Sequence, residues 1–169
     1  GRRGRHRLAG PLPGIQLPDT LQALLAARID RVPTDDKRIL QCAAVAGSQV
    51  TLGLLRAITD LPQAKLRQSL RRLVQAELLV ESRLYPEAEY RFANRLTHEV
   101  AYNELLRSQR GALHAQIVEA IERLYAHRLS EWLEPLANHA FHAQQWEKAV
   151  RYLREAAWQA RDTHAHGNA

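Results

Sequence analysis

Residues Tyr90 to His114 read Y-R-F-A-N-R-L-T-H-E-V-A-Y-N-E-L-L-R-S-Q-R-G-A-L-H, and the fold turns on what this run does. It opens with Tyr90, Phe92 and Asn94 in alternation, the period of a strand. From Leu96 the apolar residues Val100, Leu105 and Leu106 shift to a helical period. A strand therefore feeds directly into a helix. Just upstream, Pro86 with Glu87 to Glu89 marks a turn and Leu78 to Leu84 has strand character, so the spacing predicts a β-hairpin.

Composition sets the outer limits. At 169 residues, with 46% apolar and 25% charged side chains, the chain can hold one generous domain or two small ones and bury a core. A single cysteine, Cys42, excludes an intramolecular disulfide framework and fits a reducing compartment. No apolar run approaches the roughly 18 residues needed to span a bilayer and no secretory signal is visible, so a cytoplasmic location without membrane contact is expected. The chain has no methionine and begins at Gly1, which suggests a piece of something longer. Of its net charge of +6, Arg2, Arg3, Arg5 and Arg7 supply four, leaving +2 for the rest. The basicity is mostly a flexible arm over residues 1–17, read as a linker in preference to a phosphate-binding segment.

Beyond Pro18, Asp19 with Gln22 resembles a capping box, followed by the apolar stripe Leu21, Leu24, Leu25 and Ile29. A second helix is predicted from Thr34, with Thr34 as its cap and Asp35 and Asp36 at the positive end of its dipole; Gly47 stops it. Paired carboxylates for acid–base work are the weaker reading of Asp35 and Asp36. Cys42 reads as a small buried hydrophobe among Ala43, Ala44 and Val45. Thr51 caps a short third helix over 52–58, and Pro62 opens a fourth that reaches about Ala76. Helices followed by a hairpin predict a winged helix. In the fourth helix Leu66, Leu70, Leu73 and Val74 share one face, and Lys65, Arg67, Arg71 and Arg72 lie on the other. That is the position of a recognition helix, so these four are candidate DNA or partner contacts. DNA is nonetheless disfavoured, because Glu87 and Glu89 on the expected wing would repel phosphate.

Downstream, Leu113, Ile117, Ala120, Ile121 and Leu124 mark a long helix ending near Ala126, and Ser130 is placed to cap the next. Leu133, Leu136, Ala137, Ala140, Ala149, Leu153 and Ala156 then fall where a tetratricopeptide unit places its packing residues, with Trp146 starting the second helix. One such pair cannot bury both its faces, so further repeats are expected beyond Gly167. Phe92, Tyr102, Tyr125, Trp132 and Trp146 are the candidate packing residues where the two parts meet. No phosphate loop, dinucleotide fingerprint, nucleophile elbow or H-E-x-x-H motif occurs, so neither catalysis nor a bound cofactor is expected of this chain itself. His139 and His142 are three apart but lack a third ligand at useful spacing, and no metal site is assigned. His164 and His166 fall in a tail.

P-D-T-L-Q-A-L-L-A-A-R-I-D-R-V-P from Pro18, D-K-R-I-L-Q-C-A-A-V-A-G, Y-R-F through E-V-A-Y, and the L-H at Leu113 and His114 together resemble the winged-helix and following segment of STAND (AAA-type) ATPases. More narrowly, it is similar to the bacterial signalling kind attached to class III adenylate or guanylate cyclases or to transcriptional regulators. The likeness covers about Pro18 to Ala160. It implies a regulatory role: an upstream core binds ATP or ADP, the winged helix folds over the nucleotide, and downstream repeats receive an inducer or protein partner. In the family a histidine follows the Y-x-F phenylalanine by two residues and contacts the nucleotide. Here that position is Asn94, which with Arg95 is the candidate for nucleotide sensing; asparagine can donate a hydrogen bond but cannot become cationic.

The expected architecture is therefore mainly α. It comprises a lid-side helix and winged-helix domain with a small β-hairpin wing over 18–108, a long helix and an antiparallel tetratricopeptide-like pair over 109–163, and a tail over 164–169. Its expected function is that of a switch and relay in a larger ATPase, with a DNA-binding winged helix and a plain interaction scaffold as the competing readings.

Overall fold

The computed structural model describes residues 17–167, and within them the chain is mainly α-helical with one small antiparallel sheet. Helix α1 (Leu17–Arg31) begins two residues before Asp19, which puts that carboxylate in the first turn, beside the helix's positive end, and not at a cap. Only Leu25 and Ile29 of its expected stripe are buried; Leu21 and Leu24 face solvent, because the chief neighbour of α1, helix α5 (Arg95–Asn103), covers only part of that face. Helix α2 (Thr34–Ala46) is capped at Pro33 with no side-chain bond, so Thr34 is not the cap. Its small residues Ala43 and Ala44 are buried, as is Cys42, whose thiol burial pushes upward in pKa. Gly47 ends the helix at φ +149°, a conformation that favours glycine.

A strand that the periodicity did not announce, β1 (Gln49–Thr51), follows at once. Thr51 then caps helix α3 (Leu52–Thr59), its hydroxyl accepting from the Leu54 amide at 3.2 Å. After α4 (Gln63–Gln75), β2 (Leu79–Arg83) and β3 (Glu89–Phe92) form the expected hairpin, and β3 lies between β2 and β1 in the order β1-β3-β2. Val50 pairs with Tyr90, and Leu79 with Phe92. Leu66, Leu70 and Leu73 turn inward from α4 and are fully buried, each contributing on the order of 1.5–3 kcal/mol by leaving water.

The helical period expected through Leu106 breaks early. Helix α5 stops at Asn103, and α6 (Arg107–Leu124) starts after a short turn that leaves Leu105 buried and Leu106 exposed. A 3-10 segment, Ala126–Trp132, contains Ser130, so the cap expected there is absent; α7 (Leu133–His142) and α8 (Trp146–His166) complete the chain as an antiparallel pair. Helix α8 takes in His164 and His166, so the expected tail from 164 is helical that far. The boundary expected after residue 108 falls in the first turn of α6, and a single hydrophobic cluster runs from Leu25 to Tyr152 across it. Leu153, expected in the packed face of α8, is exposed, and Tyr152 takes the buried place.

Candidate functional site

Where β3 passes into α5, Ser48, Gln49, Arg91, Asn94, Arg95 and His98 surround a cleft of about 390 Å³. Asn94 does not close the strand. It is the N-cap of α5, its Oδ1 accepting from the Thr97 amide at 2.8 Å and the Thr97 hydroxyl at 3.0 Å. The oxygen is thereby spent on local structure, and only the amide nitrogen is left to donate into the cleft. Arg95 is exposed and its Nε bonds Glu99 at 2.8 Å, one turn on. Arg91 is exposed at the same mouth. His98, which sequence reasoning passed over, bonds the Ala44 carbonyl at 2.7 Å and meets the edge of buried Phe92 with ring centroids 4.9 Å apart. Position 98 lies three residues after Arg95 and four before Tyr102 on one helix, a spacing that could have flagged it.

The basic face of α4 divides. Lys65, Arg67 and Arg71 are exposed, but Arg72 is committed: its guanidinium grips Asp36 through Nε at 2.6 Å and Nη2 at 2.7 Å. Asp36 is fully buried, so it is a partner inside the core and not a simple first-turn carboxylate. Burial alone would raise its carboxyl, but the bonds from Arg72 and Ser69 win and hold it below the usual range. The wing acids are committed too. Glu87 accepts from the Gly53 amide at 2.9 Å in the first turn of α3, and Glu89 pairs with Arg83. Their charge is therefore partly neutralised, which weakens the repulsion of phosphate expected of them.

At the joint between the sheet-bearing part and the helical pair, Tyr125 is buried and its hydroxyl meets Thr51 Oγ1 at 2.9 Å, across 74 residues of sequence. Its ring stacks on half-buried Trp132, centroids 4.3 Å apart. Tyr102, half-buried, bonds His114 Nε2 at 3.2 Å. Trp146 is 55% exposed and does not anchor the joint. In its place, two buried histidines do: His114 Nδ1 lies 2.8 Å from His139 Nδ1. His114 Nε2 meets the Tyr102 hydroxyl at the other side of its ring, so both of its nitrogens are engaged, and the direction of donation along the row follows the tautomers of the two rings. Desolvation first, then the charges of His139, His142 and Arg110, push His114 down to about 3. Desolvation, opposed by the Ala46 bond, takes His139 to about 4. Both are neutral in the fold. His142 is exposed and stacks on His114, and among the described residues no group of three His, Cys, Asp or Glu is placed to hold a metal. A histidine on the apolar face of each of two facing helices was the signal for the pair, but nothing local says that they meet.

No family model matches the chain. An uncharacterized protein of Rhizobium meliloti (strain 1021) is 33% identical over 132 residues, which is 76% of this chain and 12% of that protein's length. No helix among the described residues is long and apolar enough to cross a membrane.

Proposed function

We propose that this chain is the switch and relay segment of a larger cytoplasmic STAND-type ATPase. In this reading the part from α2 to β3 is a winged helix that packs against an upstream nucleotide-binding core, and α7 and α8 open a tetratricopeptide-like array that receives a protein partner or inducer. The observation that carries the proposal is the joint. A single core, the Thr51–Tyr125 bond and the buried histidine pair tie the β3–α5 cleft to the helical pair, so a displacement at one end has a stiff path to the other. The cleft offers Arg91, Arg95 and the Asn94 amide to an anion. The output of the parent would be a cyclase or a transcriptional regulator, as in the proteins that the sequence resembles.

In the full-length protein, Arg95→Ala should speed ADP release roughly tenfold or more, the loss expected for a charge-assisted bond worth about 1.5–3 kcal/mol. Stopped-flow displacement of a fluorescent ADP measures this directly. A full-length protein that binds no adenine nucleotide, or an Arg95→Ala variant with unchanged release, refutes the reading.

DNA binding is the second reading, favoured by the exposed Lys65, Arg67 and Arg71 on α4. The arginines at positions 2–7 lie outside the described residues and would bind phosphate without sequence preference. If deleting residues 1–10 leaves sequence-selective binding intact, α4 is a recognition helix; if it abolishes binding, the arm alone was responsible.

A further inference from the structure

A larger cleft opens between the α5–α6 turn and the α7–α8 turn, with a volume of about 1060 Å³. It has a one-sided charge. Arg107 and Arg110 lie one turn apart on α6, close enough that both guanidinium groups reach the same mouth. Arg107 is exposed and makes neither a hydrogen bond nor an ion pair among the described residues. Arg110 donates from Nε to the Leu105 carbonyl at 3.0 Å and lies 4.7 Å over the Tyr102 ring, with no carboxylate in ion-pair reach among the described residues. No acidic side chain among the described residues lines the cleft. Glu104 is turned away toward Lys37, and Glu147 lines the neighbouring groove with Arg151 and Arg154.

The far wall is aromatic. Phe141 meets Trp146 edge to face, centroids 5.4 Å apart, and both rings stand in water over more than half their surface. The floor, by contrast, is saturated: His114 uses both ring nitrogens, on Tyr102 and on His139. His114 therefore has no spare polar atom to offer a ligand, and the charge available to one stands at the rim. A rim of arginine, tryptophan, phenylalanine and tyrosine has the composition of a protein–protein hot spot.

We propose that this cleft docks an acidic peptide segment of a protein partner, one carrying two carboxylates and an aromatic or leucine side chain within a few residues. The carboxylates meet Arg107 and Arg110, and the apolar side chain covers Phe141 and Trp146. This deepens the partner-receiving role proposed above. Its assay needs neither nucleotide nor the rest of the protein, so its failure leaves the ADP-release test standing, and the failure of that test leaves the cleft.

Fluorescence anisotropy of the 169-residue chain with a fluorescein-labelled peptide bearing Glu-x-Glu followed by Phe should show saturable binding that weakens as salt rises. The Lys-x-Lys peptide, and the peptide with Ala for Phe, should bind at least tenfold more weakly. Arg107→Glu and Trp146→Ala should each lose about tenfold. Both side chains are exposed, so the unfolding midpoints of these variants should match the parent chain and separate lost docking from lost folding. Three results would overturn the proposal: no saturable binding up to about 1 mM, variants that bind as well as the parent, or displacement by AMP or inorganic phosphate at lower concentration than by unlabelled peptide. The last would make the cleft a small-anion site.

Discussion

Tyr125 is the side chain whose replacement asks most of the joint. It is 5% exposed, its hydroxyl bonds Thr51, and one face of its ring is covered by Trp132. Tyr125→Phe removes one hydrogen bond, worth about 1 kcal/mol, while Thr51 keeps its bond to the Leu54 amide and α3 stays capped. Tyr125→Ala removes the ring as well, and a buried aromatic truncated to alanine costs about 3–5 kcal/mol. The contrast of about 2–4 kcal/mol between the two variants measures the ring's packing alone. Against a total stability of roughly 5–15 kcal/mol, the alanine variant would sacrifice a large part of the fold. Urea denaturation followed by circular dichroism gives the magnitude. Tryptophan emission in a Trp146→Phe, Trp158→Phe background gives the location, since Trp132 is then the reporter. An alanine variant that loses under about 1 kcal/mol, with Trp132 emission unmoved, would mean that the stack and the Thr51 bond do not hold the two parts together.

Trp146→Ala should cost under about 1 kcal/mol in the same assay, because more than half of that ring is already in water; a loss of about 3 kcal/mol would place it in the core. His114 and His139 titrate near 3 and 4 in the fold against about 6.5 when unfolded, so the unfolded chain takes up protons first. Their contribution is complete above pH 6.5 and is lost as pH falls toward 4, at a slope approaching 1.4 kcal/mol per unit for each ring, roughly. Urea midpoints between pH 7 and 5 should show this fall, and a His114→Leu, His139→Leu double variant should flatten it. Asn94→Ala should cost about 1 kcal/mol as a lost helix cap while Asn94→Asp keeps the fold; equal stability of all three by thermal melting would refute the capping role.

How far the sequence could be read depended on how local each signal is. Thr51, Gly47 and the Leu66–Leu70–Leu73 stripe act within a few residues of themselves, and the elements they define are where periodicity puts them. Strand β1 escaped notice because three residues carry no period, and its existence depends on β3, some forty residues on. Helix α5 ends where Asn103 and Glu104 turn the chain, but Leu105 and Leu106 prolong the apolar spacing past that point and conceal the break. In the candidate sites, residue type was a fair guide to chemistry and a poor guide to availability. Arg72 reads like Arg71 until Asp36 is seen facing it from another helix, and Trp146 reads like a core anchor until the pair is assembled and its ring stands outside. Which polar group is spent and which is free is decided by long-range partners, and those the sequence does not mark.

The row of groups from Tyr102 through His114 to His139 touches α5, α6 and α7 in turn, and each bond in it needs one donor and one acceptor in place. A helix that slid along its neighbour by one turn, about 5.4 Å, would orphan several buried polar atoms at once, where a purely aliphatic seam would simply find the next groove. The three helices are thus pinned in register against small slips. Movement at this joint is confined to two kinds: tilting as a block, with every bond kept, or a full opening that lets water in. A joint built this way has no intermediate setting.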